Sequence, residues 1–195
     1  LMSTLKNNIS IYQRGFLPDR STVTNLFEYT NYINNSMEQG HQVDAIYTDF
    51  SKAFDRVDLQ LIFNKLKYYG VIGSILSWIR SYLTHRTQVV SINGHQSKVI
   101  NVTSGVPQGS HLGPVLFLLF VNDITKCFSH CKYLLFADDL NLFMKVTDVN
   151  DTLKIQHDID SFWEWCCKNS MSPNIDKCKT ISFTKKAVYQ LILHI

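Results

Sequence analysis

The chain has 195 residues, of which 45% are hydrophobic and 12% aromatic, enough to bury the core of at least one domain. Its 19 Lys and Arg against 16 Asp and Glu give a net charge of +3, which permits nucleic-acid binding without requiring it. The longest apolar run, residues 114–121, is far shorter than the roughly 20 residues of a membrane-spanning helix, and no signal peptide opens the chain. We therefore expect no contact with a membrane.

The five cysteines follow no regular spacing, and two of them are adjacent, which disfavours a disulfide framework and favours a reduced, intracellular setting. A zinc site can be imagined from four Cys and His residues: Cys127, His130, Cys131 and Cys178. Because this spacing matches no finger or ribbon, we do not expect these four residues to hold zinc together.

The first predicted elements are a helix over residues 21–40, with a Ser/Thr N-cap and Gly40 at its end, and a strand over residues 42–50. The strand alternates, is rich in β-formers and ends at Asp49. An apolar stripe at helical spacing predicts the buried face of the helix. It consists of Val23, Leu26, Phe27, Tyr29 or Thr30, and Ile33.

Two further helices are predicted over residues 58–70 and 73–83. The first begins at Asp58, which is expected to be a surface or capping residue and not a metal ligand, and is closed by Gly70. The segment 86–102 then carries Asn93-Gly94 between two runs of β-forming residues. This is the strongest short-range signal for a β-hairpin, because both residues tolerate the positive φ of a tight turn.

A Gly- and Pro-rich loop over residues 104–114 precedes an apolar helix that runs to about residue 127. Gly105, Pro107 and Gly109 are expected to let the backbone of this loop approach a ligand closely. Two strands over residues 131–137 and 140–146 form a second predicted hairpin. The adjacent carboxylates of Asp138 and Asp139 lie at its tip.

An amphipathic helix over residues 148–170 and a last strand over 178–184 complete the pattern. The apolar side of the helix is predicted from Leu153, Ile155 or Gln156, Ile159, Phe162, Trp163 and Cys166. The order of elements predicts an α+β fold, an antiparallel sheet with helices packed on one face.

Asp138 and Asp139 repel each other, and their burial is unfavourable unless a positive charge compensates. Asp49 ends another predicted strand, so the two strands would bring three carboxylates together if they ended side by side. Carboxylate oxygens suit Mg²⁺, and two such ions can hold both reacting oxygens of a phosphoryl transfer. Each motif taken alone has a simpler interpretation, since an Asp pair is usually a turn and Asp49 can cap a helix.

Five blocks in order resemble the reverse transcriptase of non-LTR (LINE-type, jockey-like) retrotransposons. They are "QRGFLPDRST", "YTDFSKAFDRVD", "SGVPQGSHLGPVLFLLFVNDI", "LLFADDLNLF" and "NIDKCKTISF". The resemblance implies a fingers–palm polymerase core. Residues 1–40 would form part of the fingers and residues 41–195 the palm, with a finger-like hairpin at about 86–102 and the chain ending before the thumb.

The resemblance also implies the metal ligands. Asp49 matches the first metal-binding aspartate, and the backbone carbonyl of Phe50 is an additional ligand. Asp138 matches the main ligand of the second motif, and Asp139 matches an acidic residue whose metal contact is less constant. The expected cofactor is a pair of Mg²⁺ ions, for which Mn²⁺ can substitute.

Other positions match residues that handle the nucleotide. Phe54 matches the aromatic ring that leaves no room for a ribose 2′-OH, and Gln108 with Gly109 matches the nucleotide pocket. Arg20 would bind triphosphate oxygens. Lys177 would give a proton to the leaving pyrophosphate, although Lys179 is close enough in sequence to be confused with it.

The implied activity is RNA-directed DNA synthesis from dNTPs on a DNA primer and an RNA template, in the nucleus and cytoplasm. The implied parent protein also has a thumb and an endonuclease domain, so we expect weak activity from this chain alone. Two alternatives stay open. One is an inactive, domesticated nucleic-acid-binding relic of the same fold. The other is an RNA-dependent RNA polymerase, which Phe54 disfavours.

Overall fold

The computed structural model describes residues 9–17 and 21–185. These residues divide into two compact units. The hairpin unit comprises residues 52–121. The carboxylate unit comprises the described residues of 9–51 and of 122–185. Each unit is described by itself.

Five α-helices are present in the described residues: α1 (Thr22–Glu38), α2 (Leu59–Tyr68), α3 (Gly73–Leu83), α4 (Leu112–Val121) and α5 (Val149–Lys168). A 3₁₀ helix follows α4 at Asn122–Cys127. The described strands are β1 (Gln42–Thr48), β2 (Arg86–Gln88), β3 (Ser91–Ile92), β4 (His95–Gln96), β5 (Ile100–Val102), β6 (Lys132–Phe136), β7 (Asp139–Val146) and β8 (Lys179–Phe183). The predicted elements are thus confirmed, with ends shifted by a few residues.

The carboxylate unit is built on a four-stranded antiparallel sheet in the order β6-β7-β1-β8. Strand β1 is covered on both faces, so six of its seven residues are buried and the predicted alternation is absent. Helix α1 packs on the face that carries Ala45 and Phe143. Helix α5 lies on the opposite face, beside Ile46 and Leu142. The α+β class is confirmed, and the helices of this unit lie on both faces of the sheet and not on one as expected.

Helix α1 begins at the predicted cap. Ser21 accepts a hydrogen bond from the backbone N–H of Thr24, whose hydroxyl accepts one from the N–H of Ser21. The predicted apolar stripe is only half correct. Tyr29 and Ile33 are buried against the sheet, whereas three predicted members are mostly exposed: Val23, Leu26 and Phe27. The sheet contacts only the C-terminal part of the stripe, which is why its first turns stay uncovered.

Helix α5 is capped by Asp148, whose carboxylate accepts hydrogen bonds from the N–H groups of the first turn. Its predicted stripe is wrong at two positions, because Leu153 and Trp163 are largely exposed. Trp165 is buried in their place, and its indole N–H donates to Asp123 at 3.0 Å. A partner for the polar atom of Trp165 therefore decides which of the two tryptophans faces inward.

The hairpin unit packs α2 against α3 and α4. Asp58 caps α2 by accepting from the N–H of Leu61 at 2.8 Å, which confirms its predicted capping role. The predicted hairpin is present as two short ladders, β2 with β5 and β3 with β4. Asn93 and Gly94 form its turn at φ values of 49° and 81°. Within the described residues, no helix has both the length and the apolar character needed to cross a membrane.

Candidate active site

The three predicted metal-binding aspartates are brought to one end of the four-stranded sheet. Strand β1 pairs with β7 up to Thr48 and Leu140. One step further in the same antiparallel register places Asp49 opposite Asp139. Asp138 is in the tight turn that joins β6 to β7. The predicted convergence of the aspartates therefore follows from the register of these strands.

One carboxylate oxygen of Asp49 lacks a hydrogen bond and could bind a cation. Its Oδ2 atom is buried and has no hydrogen-bond partner, although the side chain as a whole is 29% exposed. The ammonium of Lys177 lies 3.4 Å from this oxygen, close enough for an ion pair but without hydrogen-bond geometry. An unpaired buried carboxylate oxygen is unfavourable by itself, and a bound metal ion would satisfy it. The donor set thus fits a divalent cation.

The carboxylates of this site act on one another electrostatically. Desolvation and then the like charges of Asp138 and Asp49 raise the pKa of Asp139 above its ordinary value, and the charge of Lys177 opposes them. A cation placed here would relieve this repulsion.

The aspartates are near one another without being in contact. Among the described residues, they do not form a group in which one oxygen of each lies within 4.8 Å of the others. Two ligands of one Mg²⁺ are separated by at most about 4.2 Å, since each lies about 2.0–2.1 Å from the ion. Side-chain rotations would therefore accompany binding of an ion shared by all three.

The position of Lys177 is set by a turn anchored on the carbonyl of Asp49. The N–H of Asn174 donates to that carbonyl at 2.7 Å, and the N–H of Lys177 donates back to the carbonyl of Asn174 at 3.0 Å. The alternative lysine is directed elsewhere, because Lys179 donates its ammonium to the carbonyl of Asp176. The structure thus places Lys177 beside the aspartates, and its catalytic role stays a prediction.

Phe50 is held between the sheet and α5. Its ring is buried against Phe162 and Trp165, with centroids 5.8 and 6.3 Å away, and its backbone bridges to Pro173. The two hydrogen bonds that flank this bridge use the carbonyl of Asp49 and the N–H of Ser51. They leave the carbonyl of Phe50 unused, as its predicted role as a metal ligand requires.

Gln13 holds the turn that carries the aspartates, and the sequence analysis did not single it out. Its side chain is only 2% exposed. Its Oε1 accepts hydrogen bonds from the N–H groups of Ala137 at 3.0 Å and Gly15 at 2.8 Å, and its Nε2 donates to the carbonyl of Ala137 at 3.3 Å. Gln13 therefore clamps both backbone polar groups of the residue that precedes Asp138.

The clamp compensates for a strained backbone. Ala137 has a φ of 58°, a left-handed conformation that is unfavourable for a residue with a Cβ atom. The chain around Gln13 also pairs with β6, since the N–H of Arg14 donates to the carbonyl of Leu135 at 2.8 Å. Gly15 packs so closely that a Cβ atom there would lie 2.3 Å from the nitrogen of Ala137.

The hairpin unit contains the residues predicted to handle the sugar. Phe54 is half-buried and stacks on Phe117, with ring centroids 4.3 Å apart and planes 21° from parallel. The N–H of Val106 donates to the carbonyl of Phe54 at 2.9 Å. The ring is therefore held in place, as a residue that excludes a hydroxyl group must be.

Gln108 and its loop line a polar cavity of about 820 Å³ within this unit. Its side-chain amide donates to Asp55 at 2.8 Å. Gly105 has a φ of 81°, and an added Cβ would lie 2.7 Å from the Cα of Asp55. Its close approach is thus to the protein's own backbone and not to a ligand as expected. Gly109 has open space around it and a φ of 79°, so its predicted role stands as a prediction.

Two predictions are not tested by the described residues. Arg20 lies outside the described residues. The described units also do not test the assignment of residues 1–40 to the fingers and 41–195 to the palm, which stays a prediction. The four residues of the imagined zinc site do not come together as one metal-binding group among the described residues: Cys127, His130, Cys131 and Cys178.

A family model described as "Reverse transcriptase (RNA-dependent DNA polymerase)" matches residues 1–192, which is nearly the whole chain. The chain belongs to the reverse transcriptase family. This confirms the resemblance that the five blocks indicated.

Curated relatives of the chain come from mobile genetic elements. The chain is 29% identical over 181 residues to the RNA-directed DNA polymerase from mobile element jockey of Drosophila funebris, covering 89% of this chain and 20% of that protein. It is 25% identical over 173 residues to a Pol polyprotein from retrotransposable element R2 of Popillia japonica, covering 83% and 28%. The chain thus spans about a fifth to a quarter of these relatives.

Solved structures of telomerase confirm the polymerase fold of this reverse transcriptase chain. Telomerase from Candida tropicalis in complex with a fragment of telomeric RNA matches with a TM-score of 0.68 and 16% identity, covering 93% of this chain and 32% of that one. The apo enzyme of the same organism matches with a TM-score of 0.67 and 15% identity, covering 92% and 35%.

Proposed function

We propose that this chain is the catalytic core of an RNA-directed DNA polymerase, which joins a dNTP to a primer 3′-hydroxyl on an RNA template. The observation that carries the proposal is the register of β1 and β7, whose ladder ends at Thr48 and Leu140, next to Asp49 and Asp139. Asp49 also has a buried oxygen that lacks a hydrogen bond. The family of the chain and the names of its curated relatives support it.

The residues that would hold the divalent ions are Asp49, Asp138 and Asp139, together with the carbonyl of Phe50. When bound, Mg²⁺ supplies the positive charge that neutralises phosphate oxygens and lowers the pKa of the attacking hydroxyl. Lys177 is within ion-pair distance of Asp49, so its ammonium can donate a proton to the departing pyrophosphate. The turn at residues 174–178 and the clamp of Gln13 keep these groups in position.

The residues of the hairpin unit would select and orient the nucleotide. The ring of Phe54 would exclude a 2′-hydroxyl, since its stack on Phe117 prevents it from moving away. Gln108 and Gly109 would contact the nucleotide from the loop, and Arg20 would bind the triphosphate. The lining of the cavity beside Gln108 combines neutral hydrogen-bonding side chains with three charged ones, Lys52, Asp55 and Arg86, and can bind sugars and base edges.

The template would be RNA, and its duplex with the growing DNA would be bound through the backbone by shape. Because relatives are about five times longer than this chain, we place the thumb and an endonuclease domain in a longer protein. Such a protein would act in the nucleus and cytoplasm.

Phe54→Ala is expected to lower the preference for dNTP over rNTP at least tenfold, because removal of the ring opens space for the 2′-hydroxyl. A tenfold change corresponds to about 1.4 kcal/mol in the transition state. The measurement is kcat/KM for one dNTP and the matching rNTP in single-nucleotide primer extension.

Phe54→Tyr is the matched control, since it keeps the ring and should keep the preference. A wild-type chain that already uses rNTPs as well as dNTPs would instead support an RNA-dependent RNA polymerase. A preference for dNTPs that survives in Phe54→Ala would mean that another residue selects the sugar.

Gln13→Ala is expected to reduce dNTP incorporation about 10- to 100-fold and to raise the Mg²⁺ concentration needed for half-maximal rate. Without the Gln13 side chain, two hydrogen bonds to Ala137 and one to Gly15 are lost, so the left-handed conformation of Ala137 is no longer stabilised by them. A displacement of about 1 Å at a catalytic group has an effect of this size. The measurement is the incorporation rate as a function of Mg²⁺ concentration.

Ala137→Gly in the Gln13→Ala background should restore part of the rate, because glycine adopts a positive φ without a steric cost. A folded Gln13→Ala protein with the wild-type rate and Mg²⁺ dependence would show that the clamp does not position the aspartates.

A further inference from the structure

A cluster of two histidines and one aspartate lies in the carboxylate unit, away from the catalytic turn. His130 precedes β6, whereas Asp138 follows the other end of that strand, and His157 and Asp158 are adjacent on α5. One possible ligand atom from each of the three residues lies within 4.8 Å of the others. This is the one such His, Cys, Asp and Glu group among the described residues.

Asp158 is a fixed, ionised member of this cluster. Its side chain has no exposed surface. Its carboxylate accepts hydrogen bonds from three successive N–H groups, those of Ser129 at 3.1 Å, His130 at 2.9 Å and Cys131 at 2.7 Å. Burial by itself would raise the pKa of Asp158, but these donors outweigh it and lower that pKa. The same bonds fix the backbone of His130 beside the carboxylate.

The two histidines complete an arrangement that suits a tetrahedral ion. The Nδ1 atom of His157 lies 3.4 Å from Oδ1 of Asp158. Two ligands of tetrahedral zinc are separated by about 3.4 Å, since each lies about 2.0–2.1 Å from the metal. The rings of His130 and His157 have centroids 5.3 Å apart and are nearly perpendicular, and both side chains are exposed to solvent.

The nearby thiol of Cys131 is not needed as a ligand. Burial and then the charge of Asp158, to which the thiol also donates a hydrogen bond, raise the pKa of Cys131 far above its ordinary value. Its sulfur is not among the ligand atoms of this cluster that lie within 4.8 Å of one another. The remaining donor set of two imidazoles and one carboxylate is typical of zinc sites that keep one position for water.

We propose that His130, His157 and Asp158 bind one zinc ion, with water in the remaining position. The ion would tie the loop before β6 to α5 and so stabilise the hairpin whose other end carries Asp138 and Asp139. Nitrogen ligands distinguish this site from the all-oxygen catalytic site, which suits Mg²⁺. The proposal does not depend on the polymerase activity.

The test uses the full chain, Zn²⁺ and four proteins: wild type, His130→Ala, His157→Ala and the matched control His95→Ala. His95 is exposed on the hairpin unit, so its loss should change nothing. Isothermal titration should give one Zn²⁺ per chain with Kd below about 10 µM for wild type and control. Each of the other two variants should bind at least tenfold more weakly, and Zn²⁺ should raise the melting temperature of wild type and control only.

Cobalt(II) replaces zinc in a second measurement, because thiolate ligands would add an intense charge-transfer absorption. We expect the weaker spectrum of nitrogen and oxygen ligands. Thiolate absorption would overturn the proposal by placing the metal on cysteines. Equal Zn²⁺ affinity in all four proteins, loss in only one of the two cluster variants, or a wild-type Kd above about 100 µM would overturn it as well. Asp138→Asn should leave Zn²⁺ binding unchanged, which separates this site from the catalytic one.

Discussion

Asp49→Asn is expected to lower dNTP incorporation at least about 1,000-fold while leaving the fold intact. Loss of a single preorganised electrostatic contact at a reacting centre lowers kcat by about 100- to 1,000-fold, and Asp49 would bind metal ions that act on both reacting oxygens. Its carboxylate also has the buried oxygen that lacks a hydrogen bond. Asparagine keeps the size of the side chain but removes the charge that attracts the ion.

A measurement without substrate separates metal binding from folding. Without metal, Asp49→Asn should unfold within about 1 kcal/mol of wild type, because the affected oxygen makes no hydrogen bond and its ion-pair partner Lys177 is largely exposed. With saturating Mn²⁺, the melting temperature of wild type should rise and that of Asp49→Asn should not. An equal rise in both proteins would show that the ion binds elsewhere.

Asp158→Asn is expected to destabilise the protein by about 2–4 kcal/mol, measured in the presence of a chelator. The carboxylate of Asp158 accepts from three backbone N–H groups and is fully buried. The asparagine side chain has one acceptor oxygen, and its NH₂ group would face backbone N–H groups, which are donors as well. At least one buried N–H would then lose its partner, which is unfavourable by about 1–3 kcal/mol.

Asp160→Asn on the same helix is the control, since Asp160 is exposed and should change the free energy of unfolding by less than about 0.5 kcal/mol. The measurement is the midpoint and slope of urea unfolding followed by circular dichroism. A loss below about 1 kcal/mol for Asp158→Asn would mean that the loop at residues 129–131 does not depend on the carboxylate.

The elements of this fold could be predicted because their local signals agree. Ser21 and Asp58 cap helices as expected, and Asn93-Gly94 forms the predicted turn. Burial was less predictable, since a helical stripe shows which residues could face a core but not how far the neighbouring layer extends. Leu26 is exposed for that reason.

The candidate site, too, could be predicted only in part. The aspartates could be located from their positions at strand ends and from the family blocks. Their mutual position depends on the register that sets Asp49 opposite Asp139, which the sequence does not specify by itself. Gln13 opens the first family block, but its role could not be predicted, because it meets Ala137 across 124 residues and its partners are backbone groups that carry no sequence signal.

The most direct test of the central claim is primer extension on an RNA template with Mg²⁺ and dNTPs. The proteins compared are wild type, Asp138→Asn and Asp160→Asn, each as this chain and as a form extended through its downstream reading frame. We expect incorporation by wild type and Asp160→Asn, stronger in the extended form, and none by Asp138→Asn. Incorporation that persists in Asp138→Asn would contradict the assignment of Asp138 as a metal-binding residue of a polymerase. A folded, extended wild type that binds primer–template but adds no nucleotide would also contradict it, and would identify the chain as a nucleic-acid-binding relic.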